Sequence, residues 1–395
     1  MRKRQSAVVF SILSLVFMSA MFAGCGKKAS GKVLDRSIVS TGDARRLLHV
    51  FTRAENGEDI VIGVIGGSIT EGAAANPRSN RYGDLVANWF KKRFKNAKVK
   101  YVNAGIEATG SGIAAHRAYR DLLKHNPDFV VTEFAVNDGK GRSFAETYEG
   151  LLRQILKQDN NPAVVMLFTM YDNGDNSQES QERLGRHYGL PMVSYRDGVW
   201  PEIEAGTMEW SDVGADQAHP NNTGHKYCAE MIINLLELVY DQMPGRGMRP
   251  SKVKPMPKPL HTDIFEFAKL HTADTFVAAK NAGFTTATGR LGNAWVSDKP
   301  GSSLEFEVEG THIRVVFWKI KKDMGIATAQ VDNHSMINMD GWFEQDWGGY
   351  DCEVSVAKDL KPGKHKLTIT LLDKKNSNSN GHQFQLRAIM AAGLK

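Results

Sequence analysis

Cysteine is scarce in this sequence: the 395 residues include three, Cys25, Cys228 and Cys352. The first ends an apolar export segment, and the other two lie far apart, in what we expect to be different domains. A disulfide framework of the kind that holds small secreted proteins together is therefore not indicated, although an exported protein could form one. With 42% hydrophobic and 24% charged residues, the chain has the composition of a globular protein long enough for two domains.

Motifs that bind nucleotide phosphates are also missing. The glycine-containing stretch 60–72 (IVIGVIGGSITEG) fits neither GxGxxG nor GxxxxGK[ST]. The net charge of +6 is not concentrated on a helix with interleaved aromatic residues, and much of it falls near the N-terminus and in a later linker. Solvated surface charge, or attraction to an anionic membrane or envelope polymer, explains such a distribution. We expect no nucleic-acid partner, no cofactor and no metal.

A long apolar run occupies residues 7–23, directly after a basic start at residues 2–4. Together they indicate an export signal covering residues 1–24, and the run is short for a helix that crosses a membrane. The segment ends in FAGC, which resembles the lipobox of bacterial lipoproteins. This resemblance implies acylation of Cys25, so that the mature chain, expected to be a monomer, is lipid-anchored in the cell envelope of a bacterium and faces outside the cytoplasm.

Strand and helix patterns alternate regularly through residues 55–243, after a tether and a short helix within 25–54. Strands are predicted from 60 and at 99–103, 129–136, 163–169 and 191–195, and helices at 81–94, 114–125, 144–157, 179–188 and 225–240. This alternation predicts an α/β fold of three layers, a flavodoxin-like doubly wound parallel sheet with helices on both faces.

The pattern changes after residue 243. Residues 244–261 are rich in proline and lysine and have no periodicity, which is typical of a linker. Residues 262–395 contain alternating apolar and polar segments at 303–308, 312–318, 325–332 and 365–371. They predict an all-β sandwich or jelly roll, which we regard as a possible carbohydrate-binding domain.

Ser68 follows two glycines at the carboxyl end of the first buried strand. Glycines let a backbone turn sharply there, and ligands bind at this edge of a parallel sheet, so Ser68 is a candidate nucleophile. The alternative is an ordinary strand-to-loop turn in which Ser68 caps the next element. The stretch also departs from the GxSxG elbow, because Thr70 stands where the last glycine would be.

A serine hydroxyl needs a base within hydrogen-bond reach, and a third group that orients the base. The stretch 215–224 (ADQAHPNNTG) places Asp216 three residues before His219, on a loop ahead of the last predicted helix. The alternatives are a plain surface histidine, and Asp212 as the orienting carboxylate. His225, at the start of that helix, is expected to be structural.

Donors for a negatively charged oxygen could come from two more loops at the same sheet edge. One is 103–112 (NAGIEATGSG), whose small residues leave backbone N–H groups exposed, and the other is 135–138 (AVND), which carries Asn137. An asparagine in this position is more often a simple turn residue. The combination of loops, more than any one of them, indicates a site.

These four blocks, GGSITEG, NAGIEATGS, AVND and DQAHP, resemble those of SGNH (GDSL-type) hydrolases in order and spacing. The resemblance implies that Ser68 is the nucleophile, His219 the base and Asp216 its orienter. It also implies an oxyanion hole, formed by Asn137 and by backbone N–H groups of Ser68, Ala108 and Gly105, with Gly110 as an alternative. The chain departs from the family pattern at Gly67, at Ala135 and at Ala108, where aspartate, glycine and glycine are usual.

An exported SGNH enzyme with a β domain resembles bacterial carbohydrate O-acetylesterases. The resemblance implies a serine esterase that removes acetyl groups from an extracellular or cell-envelope polysaccharide, which is the expected partner. Alternatives are a lipase or lysophospholipase at the membrane, and an inert glycan-binding lipoprotein. Candidate sugar platforms, each of which could instead be a core residue, are Trp200, Trp210, Trp295, Trp318, Trp342 and Trp347.

Overall fold

The computed structural model describes residues 28–243 and 252–394, which form an α/β domain followed by an all-β domain. The predicted export signal, Cys25 and the first part of the predicted linker lie outside these residues. Within the two described ranges, no helix has both the length and the apolar character that crossing a bilayer requires.

The α/β domain is built on a six-stranded sheet with the strand order β1-β6-β5-β4-β2-β3. Its strands are β1 (Ile38–Ser40), β2 (Ile60–Gly66), β3 (Val99–Gly105), β4 (Phe129–Glu133), β5 (Ala163–Phe168) and β6 (Met192–Ser194). Strands β2 to β6 are parallel, as predicted, in the flavodoxin-like arrangement. The short edge strand β1 was not predicted, and it pairs with β6 in the antiparallel direction.

Helices cover both faces of this sheet because the central strands are apolar on both sides; every residue of β4 and β5 is buried. The helices are α1 (Gly31–Ser37), α2 (Arg45–Glu55), α3 (Ser68–Glu71), α4 (Tyr82–Arg93), α5 (Ser111–Asp121), α6 (Arg142–Leu156), α7 (Gln178–Tyr188), α8 (Tyr195–Glu204), α9 (Trp210–Val213) and α10 (Asn222–Tyr240). Two separate apolar clusters, one on each side of the sheet, form the core.

The chain leaves β2 toward β3 on one side, and β4 lies on the other side of β2. In doubly wound sheets, such a change of direction opens a crevice at the carboxyl ends of the strands, where ligands bind. Ser68 begins α3 directly after β2, so the topology places it in this crevice.

The second domain consists of two antiparallel sheets that share one apolar core. The predicted all-β domain is therefore confirmed, although several of its strands were not predicted. Its strands are β7 (Lys269–His271), β8 (Lys280–Ala282), β9 (Thr285–Ala287), β10 (Ala294–Ser297), β11 (Ser303–Glu309), β12 (His312–Lys319), β13 (Gly325–Val331), β14 (Ile337–Asp340), β15 (Tyr350–Ala357), β16 (Lys364–Lys375) and β17 (Phe384–Ala392).

The described part of the predicted linker, from residue 252 onward, is docked along the α/β domain. The guanidinium of Arg153 donates to the carbonyl of Pro257 at 2.9 Å and pairs with Glu266. The carboxylate of Glu149 accepts three consecutive backbone N–H groups at 2.5, 2.8 and 3.0 Å, from Leu260, His261 and Thr262. The linker therefore fixes the entry to the β domain against α6.

Candidate active site

The turn at Ser68 depends on the two glycines before it. A Cβ atom at Gly66 would lie 2.1 Å from Thr70 Oγ1, and one at Gly67 would lie 2.1 Å from Asn137 Oδ1. Any larger residue would thus push apart the loops that follow β2 and β4. The glycines let Ser68, which is 6% exposed, approach the Asn137 loop closely.

Ser68, His219 and Asp216 lie in one hydrogen-bonded row. The Ser68 Oγ atom is 2.8 Å from His219 Nε2, and His219 Nδ1 is 2.7 Å from Asp216 Oδ2. An ionised carboxylate can only accept, so Nδ1 carries the imidazole proton and Nε2 is free to accept the serine proton. This arrangement can activate a serine hydroxyl for attack on a carbonyl carbon.

Asp216 is fixed from several directions. Its Oδ1 atom accepts the backbone N–H groups of Ala218 at 2.8 Å and His219 at 2.9 Å, while Trp210 Nε1 donates to its carbonyl oxygen at 2.6 Å. Partial burial raises the pKa of Asp216, but the hydrogen bonds from Ala218 and His219 outweigh burial, so the pKa is lowered overall. The carboxylate is therefore ionised at neutral pH.

The structure separates Asp216 from the two rival residues. Asp212 accepts the Glu209 N–H at 3.0 Å in a reciprocal cap of α9, so its carboxylate is already used there. His225 is buried, its Nε2 lies 2.9 Å from the carbonyl oxygen of Ala73, and its ring stacks on Tyr82. Both contacts are structural.

Three of the predicted oxyanion donors keep free groups. Within the described residues, the backbone N–H groups of Ser68 and Ala108 and the side-chain amide of Asn137 have no hydrogen-bond acceptor; the same holds for the N–H of the alternative, Gly110. Ala108 has a φ of 54°, in the left-handed region where glycine is favoured. A glycine, which the family resemblance leads us to expect at this position, would adopt this conformation without strain.

Gly105 does not fit the role of a donor, and this prediction is wrong. Its N–H donates to Asn103 Oδ1 at 2.8 Å, and Asn103 Nδ2 in turn donates to the carbonyl of Thr70 at 2.8 Å. Gly105 also pairs with Gly66 at the end of β3. Its close contact with the α3 backbone, where an added Cβ would lie 2.2 Å from Glu71 N, explains the glycine instead.

Two buried acids near the site were not predicted. Asp138 Oδ1 accepts the Ser111 N–H at 2.8 Å and joins the second loop to the third, while Glu133 accepts from Thr169 at 2.6 Å and from Thr70 at 3.4 Å. Burial raises the pKa of each carboxyl group to about 7. For Glu133 a sequence signal was available, because an acid inside the apolar stretch FVVTEF is costly unless it is paired.

The six tryptophans considered as sugar platforms differ in their surroundings. Trp295 is 4% exposed in the core of the β domain, so it is not a sugar platform. Trp200 and Trp210 pack against the α/β core, and Trp318 lies under Arg290, whose Cζ atom is 4.8 Å from the ring centre. Trp347 is 59% exposed, with its edge on Phe343. Trp342 lines an open groove of about 480 Å³ with Asn378 and Asn380.

Comparison with known proteins gives a consistent result. The model of the GDSL-like lipase/acylhydrolase family matches residues 64–227, which include all three residues of the hydrogen-bonded row. Two crystal structures of a two-domain esterase (CEX) active on acetylated mannans, one of them co-crystallised with mannopentaose, superpose with a TM-score of 0.84 at 31% identity. These matches cover 92% of this chain and 98% or 99% of the other. No curated protein matches the sequence.

Proposed function

Because this chain belongs to the GDSL-like lipase/acylhydrolase family and is a serine esterase of carbohydrate acetylesterase type, we propose that it removes O-acetyl groups from an extracellular or cell-envelope polysaccharide. The observation that carries this proposal is the match, along 92% of the chain and through both domains, to an esterase that acts on acetylated mannans. Acetylated mannan is therefore the first substrate to test.

The proposed chemistry begins with attack of the Ser68 Oγ atom on the acetyl carbonyl carbon. His219 Nε2 takes the hydroxyl proton, and Asp216 holds the ring and stabilises the imidazolium that forms. The N–H groups of Ser68 and Ala108, with the amide of Asn137, donate to the oxyanion. The bond between the acyl carbon and the sugar oxygen then breaks, and the sugar oxygen takes the proton from His219 and leaves as a hydroxyl. A water molecule that gives a proton to the same imidazole attacks the acetyl group on Ser68, and acetate leaves as His219 returns that proton to the Ser68 Oγ atom.

The β domain is proposed to hold the sugar chain. Trp347 supports this role because it is more than half exposed while its ring contacts those of Phe343 and Tyr350, at ring-centre distances of 5.2 and 6.0 Å. Aromatic faces that are fixed in this way are suitable for stacking on the apolar face of a sugar ring. The Trp342 groove, lined by amide and charged side chains, could bind hydroxyl groups in the same region of the domain.

We expect activity to fall as the acyl group becomes longer. The loop formed by residues 71–79, after the nucleophile, is mostly exposed and has little apolar surface for an acyl tail. Changing an aryl ester from acetate to butyrate and to octanoate should lower kcat/KM at each step, because the added methylenes find no pocket. Steady-state rates on these three esters, with acetate release from acetylated mannan and xylan measured in parallel, test the proposal.

A flat or rising chain-length profile would favour the lipase instead. Hydrolysis of the aryl acetate without acetate release from any acetylated glycan would support the esterase activity but contradict the proposed polysaccharide substrate. Acetylated xylan serves as the internal control, because it is also an acetylated polysaccharide but is built from a different sugar.

We also propose that Cys25 anchors the mature protein to a membrane through a lipid. Just after it, the Ala29 N–H donates to Glu230 Oε2 at 2.8 Å, so the chain is attached to α10 four residues beyond the cysteine. The fold therefore does not depend on the anchor.

Cys25→Ser should move the protein from the membrane fraction to the soluble fraction while its rate on aryl acetate is unchanged, as measured by fractionation and assay. Cys352→Ser, which removes a half-buried thiol far from the tether, is the control and should remain with the membrane. A Cys25→Ser protein that still sediments with membranes would contradict the lipid anchor.

A further inference from the structure

We infer that the β domain positions the oxyanion loop, defined here as residues 106–110, through an ion pair between Arg290 and Glu107. Arg290 thus acts as a positioning residue even for substrates too small to reach the β domain. The inference rests on the esterase chemistry of the proposed function but is independent of the identity of the glycan.

The loop is held on its α/β side by backbone hydrogen bonds, the first of which joins the Ile106 N–H to the Gly66 carbonyl at 3.1 Å. The Glu107 N–H donates to Glu71 Oε2 at 2.7 Å, and Glu71 ends the helix that begins with Ser68. Just beyond the loop, the Ser111 N–H donates to Asp138 Oδ1 at 2.8 Å. Ala108, the proposed donor, lies between the last two attachments in a left-handed conformation that an alanine side chain disfavours. The loop therefore needs outside contacts to remain in this shape.

The β domain supplies such a contact. Arg290 Nη1 lies 3.0 Å from Glu107 Oε2, so the residue directly before the proposed donor is tied to the second domain. The Glu107 side chain is 54% exposed, and an exposed ion pair of this kind often contributes little energy. What distinguishes this pair is how firmly its arginine is held.

Arg290 is fixed within the β domain by three further groups. Its Nη2 donates to the Gly349 carbonyl at 3.1 Å, its Nε is 3.6 Å from the fully buried carboxylate of Asp351, and its guanidinium lies over the Trp318 ring. Asp351 is itself held by Arg387 at 3.0 Å. A guanidinium restrained in this way loses little conformational entropy when it binds Glu107, so the pair can fix the loop.

The helix that follows the loop is packed against the same domain. Ile113, in the first turn of α5, belongs to an apolar cluster completed by residues of the β domain, which are Leu291, Val316, Ala388 and Met390. A Cβ atom at Gly112 would lie 2.4 Å from Glu353 Oε1, so the helix backbone touches β15 directly. The β domain thus contacts both the oxyanion loop and the start of α5.

The test uses a small aryl acetate, which cannot span the two domains. Arg290→Ala should lower kcat by on the order of tenfold with KM nearly unchanged, because misplacing a donor affects the transition state more than substrate binding. Glu107→Ala, which leaves the β domain intact and removes the acceptor, should cause a similar loss. The double variant should be no worse than either single one, since both remove the same contact. Arg290→Lys should recover part of the lost rate.

Lys280→Ala is the matched control, because it breaks another ion pair of the β domain, with Glu305 at 3.0 Å. Its kcat should equal that of the wild type. Rates on aryl acetate within twofold of wild type for both Arg290→Ala and Glu107→Ala would overturn the inference, as would fully additive losses in the double variant. A loss only on polymer, seen as a higher KM, would make Arg290 a glycan contact instead. Failure of the wild type on acetylated glycans would reject the proposed substrate and leave this result unaffected.

Discussion

Replacing Ser68 with alanine should lower kcat for acetate release by roughly 10⁴- to 10⁶-fold, because the residues of a catalytic triad act as a unit and their loss leaves only the oxyanion donors and substrate binding. The fold should be preserved. Among the residues that the structure describes, the Ser68 side chain hydrogen-bonds to His219 alone, and the alanine fits the same space. We therefore expect the melting temperature to change little, which differential scanning calorimetry beside the kinetic assay would measure.

His219→Ala should cause a loss of similar size, and the Ser68→Ala, His219→Ala double variant should be no slower than either alone. Ser211→Ala is the matched control: it removes a hydroxyl from α9, close in sequence to the catalytic loop, whose contact is with Glu209 at 3.4 Å. A Ser68→Ala enzyme that keeps a tenth or more of its activity would show that another group performs the attack.

Much of this architecture was predictable because local patterns and topology agree. Buried parallel strands such as β5 have continuous apolar sequences, and parallel strands bring their following loops to one edge. Hence Ser68, Asn137 and His219 could be assigned to one crevice although 151 positions separate the serine from the histidine. Spacing alone could also favour Asp216, three residues before His219, since it requires only a short turn.

Other features depend on contacts that sequence spacing does not reveal. Gly105 lies in the right loop, but its N–H is taken by Asn103, and this depends on the path of the backbone. Trp295 and Trp347 are both tryptophans of the β domain, and the sequence alone does not show which of them is exposed. The register of β10 against β17 places Trp295 in the core. The docking of residues 252–262 depends on side chains that are far away in sequence, among them Glu149 and Arg153 on α6.

The contact between domains is the clearest example of such a feature. Arg290 is one charged residue in a loop of the β domain, and Glu107 is one of many exposed acids. Arg290 lies in no motif, and the NAGIEATGS block assigns no role to Glu107. Their pairing follows only when α5 is packed on the β domain through Ile113. The sequence predicted two domains joined by a linker, whereas the structure has one continuous interface beside the proposed site.

Asp216→Asn should lower kcat by about 10⁴-fold with little loss of stability, because the change reverses the tautomer of His219. The asparagine Oδ1 atom can still accept the N–H groups of Ala218 and His219, so the loop keeps its shape. Its amide nitrogen, however, would donate to His219 Nδ1. The ring proton would then lie on Nε2, facing Ser68, and the imidazole could not accept the hydroxyl proton.

Asp212→Asn is the decisive comparison, since both aspartates lie in the same segment and differ in what they contact. An asparagine at position 212 can still accept the Glu209 N–H, so the cap of α9 is retained and kcat should remain within about twofold of wild type. Rates on aryl acetate and melting temperatures for the two variants separate the roles directly. If Asp212→Asn were the slower enzyme, Asp212 would be the residue that orients His219, and the 2.7 Å contact of Asp216 with the ring would have only a structural role.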